Sequence, residues 1–137
     1  MIQWNDSYRI GVDIVDEQHK VLFNLAEEAE EMMKLPDHLD KFDEIVDIVT
    51  SLRDYVKYHF EEEEKILLDI GYKKFFSHKV EHQDFIDYIY KLDLEEIDQH
   101  QNEQILELLH TLYHWLVDHV LVQDTHWSQI YKEKHRK

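Results

Sequence analysis

Apolar residues recur in alternating steps of three and four along four stretches of the chain, the seam pattern of helices packed in a bundle. The first stripe is Val15, position 19, Leu22, Ala26, Ala29 and Met33, and it predicts a helix from 13–16 to about 34. Leu35-Pro36-Asp37 ends it. The second stripe, Phe42, Ile45, Val49, Leu52, Val56, positions 59 and 63, and Ile66, predicts a helix over about 39–69, with Gly71 as its terminating residue. Phe75, positions 78 and 82, Phe85, Ile89 and Leu92 give a third over 73–92. The polar stretch 93–102 reads as a frayed end plus loop. Ile105, Leu108, Leu112, Trp115, position 119 and Val122 give a fourth over 103–122, followed by a tail with a turn or two of helix. Residues 1–12, with Trp4, Asn5, Asp6, Ser7 and Gly11, read as an irregular arm. The fold class is all-α, an up-down-up-down four-helix bundle in one domain: arm 1–12, bundle 13–122, tail 123–137.

The positions left without an apolar residue carry the chemistry. They hold His19, His59, Glu63, His78, His82 and His119, polar side chains on seams that face the core. In an up-down-up-down bundle all six fall at the same end, so they converge on one layer from four helices. A buried imidazole or carboxylate without partners costs several kcal/mol, roughly 2–7 for a neutral polar group and more for a charge. Metal coordination removes that cost, since neutral imidazole and ionised carboxylate are both ligands. His59 and Glu63, and His78 and His82, are spaced i, i+4 on one helical face. Asp124 lies five residues past His119 and would reach back if the helix end unwinds there. Five imidazoles and two carboxylates overfill one zinc site, and calcium or magnesium would prefer oxygen alone. Two octahedral ions suit the set, iron best and manganese behind it. With bridging carboxylates and one oxo or hydroxo bridge, a single coordination position stays open for a small ligand.

Composition narrows the classes further. The absence of cysteine among 137 residues excludes disulfides, iron–sulfur clusters and thiol nucleophiles. Two glycines and one proline leave little material for hairpins. A net charge of −16 opposes binding to nucleic acid or anionic membrane surfaces, and no segment is long and apolar enough to span a bilayer. The N-terminus has neither the basic nor the apolar region of a secretory signal, so a cytoplasmic location is expected; the chain is also expected to be a monomer. Only Glu107-x-x-His110 fits the Glu-x-x-His pattern of ferritin-like carboxylate bundles, and it lies off the seam. His110 and His114 read as a solvated pair, and His38, His100, His126 and His135 as loop or tail residues. Of Glu61 to Glu64 only Glu63 points inward, with Glu64 placed to orient a histidine. Trp4 and Tyr8 read as a lid on the bundle end.

Asp16-Glu17-Gln18-His19, His59-Phe60-Glu61-Glu62-Glu63-Glu64, His78-x-x-x-His82 and Trp115-Leu116-Val117-Asp118-His119 followed by Asp124 resemble the hemerythrin family over nearly the whole chain, and its stand-alone bacterial members in particular. The resemblance implies a non-haem di-iron centre that binds dioxygen reversibly, for storage or for delivery to an oxygen-requiring enzyme. It implies one iron on His78, His82 and His119, the other on His19 and His59, with Glu63 and Asp124 bridging. Phe60, Trp115, Leu116 and Val120 flank those positions and are the candidate lining of a dry oxygen pocket, a role compatible with ordinary core packing. A peroxide, nitric oxide or ferrous-iron enzyme, or a sensor at the same site, is the alternative.

Overall fold

The computed structural model describes residues 4–36 and 38–135. Asp37 of the expected break, residues 1–3 of the arm and 136–137 of the tail lie outside the described residues. The long helices are α1 (Asp13–Lys34), α2 (Phe42–Asp69), α3 (Phe75–Tyr90) and α5 (Gln101–Trp115), with a short α4 (Leu94–Gln99) between the last two. Beyond α5 a π-helical segment, Leu116–Gln123, runs directly into α6 (Asp124–Lys134). Cross-helix contacts fix the directions. Gln18 near the start of α1 meets His59 near the end of α2; along α2 Arg53 meets the carbonyls of Ile89 and Leu92 while the later Glu64 meets the earlier His82; and along α1 His19 meets Asp124 while the later Glu30 meets the earlier Tyr113. Each neighbour is therefore antiparallel, and the all-α bundle is as expected.

The seams pack as the periodicity requires. Val15, Leu22, Ala26, Ala29, Ile45, Val49, Leu52, Val56, Phe85, Ile89, Ile105, Leu108 and Leu112 are all buried, and most of them belong to one continuous core. A second cluster of Ile10, Val12, Val15, Leu67, Ile70 and Trp127 closes the end that carries the polar layer. The arm is anchored to it. The Asp16 carboxylate, fully buried, accepts hydrogen bonds from the backbone N–H groups of Ile10 (2.8 Å) and Gly11 (3.2 Å). Gly11 adopts φ +90, open to glycine and strained for other residues, and the Lys132 side chain crosses where a Cβ would stand. Trp4 and Tyr8 pack on Phe23, one turn from His19 along α1.

Three expectations need correction. The polar stretch 93–102 contains a helix, because the Asp93 side chain caps the N–H groups of Glu95 and Glu96 and Ile97 supplies a buried anchor. The tail holds α6, about three turns long, because Trp127 is fully buried and fixes it to the bundle. Val122, three residues past His119, is 49% exposed, since the π segment turns the seam away from the α-helical phase.

Leu52 is fully buried in the main core. Leu52→Ala should therefore destabilise the protein by about 2–5 kcal/mol in urea unfolding, through lost burial and the cavity left behind.

Candidate metal centre

All seven residues singled out in the sequence meet at one end of the bundle and are buried, His19, His59, Glu63 and Asp124 completely. α1 supplies His19, α2 His59 and Glu63, α3 His78 and His82, the π segment His119, and the start of α6 Asp124. The expected unwinding of the helix end does not occur. An α-helix sets residues five apart about 140° from each other around its axis. In the π segment the Asp124 N–H donates to the His119 carbonyl, an i, i+5 bond that brings the two residues onto one face.

The two carboxylates divide their oxygens between two groups of histidines. Oε1 of Glu63 lies 2.7 Å from His78 Nε2, 3.2 Å from His82 Nε2 and 3.8 Å from His119 Nε2. Oε2 lies 3.2 Å from His59 Nε2 and 3.9 Å from His19 Nε2. Asp124 repeats the division: Oδ1 is 3.2 Å from His78 and 3.5 Å from His119, and Oδ2 is 3.1 Å from His19. His82 and His119 bring their Nε2 atoms to 2.9 Å. Donors at adjacent octahedral positions, with bonds of about 2.1 Å, are about 3 Å apart, so these separations suit shared cations. Two sets of donor atoms are each close enough to hold one ion: Glu63, His78, His82 and His119, and His19, His59, Glu63 and Asp124. In the second set His19 Nε2, His59 Nε2, Glu63 Oε2 and Asp124 Oδ2 are buried without a hydrogen-bond partner. Four orphaned polar atoms pointing at one another are costly without a ligand between them.

A surrounding layer holds these side chains in orientation. Nδ1 of His59 lies 2.6 Å from Gln18 Oε1, Nδ1 of His82 3.0 Å from Glu64 and Nδ1 of His119 3.2 Å from Glu81. A proton donated from each Nδ1 leaves the Nε2 lone pair facing the centre. Trp127 Nε1 donates to Asp124 Oδ1 at 2.9 Å. Of these partners the sequence pointed only to Glu64. The missed signal is adjacency: Gln18, Glu64 and Glu81 each neighbour a centre residue in the chain and serve a histidine on another helix. Phe60 stacks on His82 at 3.9 Å, Trp115 stacks on His119 at 4.4 Å, and Leu116 and Val120 are buried beside them in the core.

The family described as the hemerythrin HHE cation binding domain matches residues 10–130. The chain belongs to the hemerythrin family. Among similar proteins, a bacteriohemerythrin of Clostridium acetobutylicum is 40% identical over 124 residues, covering 90% of this chain and 96% of that protein. One from Stenotrophomonas maltophilia is 28% identical over 130 residues, 90% of this chain and 77% of its own. One from Pseudomonas aeruginosa is 29% identical over 83 residues, 61% of this chain and 52% of its own. The hemerythrin match spans every one of the seven residues.

Without a cation, this hemerythrin layer keeps its charge balance with protons. Burial opposes a charged His78, but hydrogen bonds to Asp124 and Glu63 outweigh it and push the imidazole up to about 10. Burial opposes charge on His82 too, and its bonds to Glu63 and Glu64 raise it, whereas burial dominates at His59 and lowers it. Burial would raise Glu63, but the imidazoles of His119, His59, His78 and His82 packed around it hold it well below the usual carboxylate range. A depressed carboxyl stabilises the fold above its ordinary value of 4.5 and loses that contribution as pH falls through its folded value. A raised imidazole contributes fully below 6.5 and loses the contribution as pH rises through about 10. Chelator-treated protein should therefore show a melting temperature that falls between pH 6.5 and 10, and metal loading should both abolish that slope and release protons. A flat profile for the metal-free protein would refute the balance.

Proposed function

We propose that this chain binds dioxygen reversibly at a di-iron centre, for storage or for delivery to an oxygen-requiring enzyme. The observation that carries the reading is the split of Glu63 and Asp124, each turning one oxygen to His78 and its neighbours and the other to the His19 and His59 group. His78, His82 and His119 would hold one ion, His19 and His59 the other, with the two carboxylates bridging. An iron pair held there would supply the electrons for binding dioxygen. The chain's residues account for the rest. The His19 and His59 side offers one imidazole fewer, which favours a small ligand there.

Gln18, Glu64 and Glu81 keep the Nδ1 protons away from the centre and the imidazoles rigid. Phe60, Leu116 and Val120, at most 1% exposed, would exclude water and larger reductants, with Trp115 as a wall behind His119. Phe60 also lies 5.5 Å from His59, so it adjoins both histidine groups. The similar proteins bear the name bacteriohemerythrin, which accords with a carrier.

Protein purified in air should contain two irons per chain and a visible absorption that bleaches on deoxygenation and returns with air. Colour that never returns, or steady turnover of peroxide, nitric oxide or ferrous iron at that centre, would replace the carrier with an enzyme. His119→Ala should lose one iron while retaining the bundle's helical signal. Gln18→Ala should weaken iron binding by roughly 10–100-fold, because His59 loses its orienting acceptor.

A further inference from the structure

A cavity of about 820 Å³ opens between the turn after α2 and the outer face of α6, outside the metal centre. Its base is apolar: Ile70, buried in the second core cluster, and Tyr72 and Ile130, half-buried and packed against that cluster. Its rim carries the exposed Lys73, Lys74 and Lys134 against the single carboxylate of Glu133. The lysine ion pairs of the described residues lie elsewhere, on Lys20, Lys34, Lys65 and Lys79. On a chain of net charge −16 a cationic rim of this kind runs against the surrounding surface. Salt at physiological strength screens charges beyond about 8 Å, so the rim rather than the distant carboxylates sets the field inside the cavity. The volume is in the range of small-molecule sites, roughly 300–1,000 Å³, and an apolar base with a few polar groups at its mouth is their usual make-up.

We propose that this cavity binds an amphipathic organic anion, a planar or apolar body bearing a phosphate or carboxylate. The body lies on Ile70, Tyr72 and Ile130, and the anionic group sits among Lys73, Lys74 and Lys134. Tyr72 stands edge-on to His78 with ring centroids 6.2 Å apart, so the bound molecule sits one ring away from the metal centre. Binding itself requires neither iron nor oxygen.

Flavin mononucleotide is a suitable probe, with riboflavin as the same ring without phosphate and inorganic phosphate as the anion alone. In fluorescence titrations of the purified protein at physiological salt, the mononucleotide should bind at least about tenfold more tightly than riboflavin or phosphate and weaken as salt is raised further. The triple substitution Lys73→Gln, Lys74→Gln, Lys134→Gln should abolish that preference and leave iron content and the oxygen-dependent colour unchanged. Ile130→Gln should weaken the mononucleotide and riboflavin alike. No binding of the mononucleotide, riboflavin or phosphate binding as tightly, or a triple variant that binds like the parent, would each overturn the proposal. Protein without iron would instead count against the di-iron reading, and the titration would still decide the cavity.

Discussion

Two carboxylates buried among five imidazoles govern the architecture of this end of the molecule. Neither Glu63 nor Asp124 has a lysine or arginine partner within ion-pair distance among the described residues; their close cationic neighbours are histidines. A buried carboxylate in that position is tolerable only when protons or metal ions lie between it and the imidazoles. Every local departure from a plain bundle serves that condition. The π segment brings Asp124 onto the face of His119, Trp127 donates to Asp124, and the arm folds under to seal the end against water.

The far end of the bundle is organised differently. There Lys41, 1% exposed, is held by the Leu35 carbonyl at 3.2 Å and the Asn102 side chain at 2.6 Å, which ties the α1–α2 connection to the start of α5. Between the two ends the main core is aliphatic with Phe23, Phe60 and Phe85. The histidine layer and the aliphatic core thus adjoin along the same four helices, with Phe60, Leu116 and Val120 shared between them. Loss of a metal would leave most of the apolar burial in place and hand the charge balance of one layer to protons on its histidines.

Much of this was legible in the sequence because an α-helix repeats a seam every three or four residues, and a histidine or glutamate on a seam breaks the pattern visibly. His19, His59, Glu63, His78, His82 and His119 were readable on that ground alone. Asp124 was readable only by its proximity to His119, since no α-helical phase relates residues five apart. The helix at Leu94–Gln99 was hidden because one apolar residue, Ile97, gives no periodicity to detect. Gln18 and Glu81 were hidden for another reason. They lie beside a seam rather than on it, where polar residues are ordinary, and only the neighbouring helix reveals what they hold.

The π segment also has a consequence for everything that follows it. One additional residue in a helical turn advances the chain by about 100° relative to an uninterrupted α-helix. α6 inherits that rotation along its whole length. The phase that turns Asp124 toward the histidines is the phase that points Trp127 into the second core cluster and lays Ile130 against it. The helical register at His119 is therefore transmitted to the C-terminal end as an orientation, and α6 and the wall it gives the cavity beside α2 take their direction from the π segment.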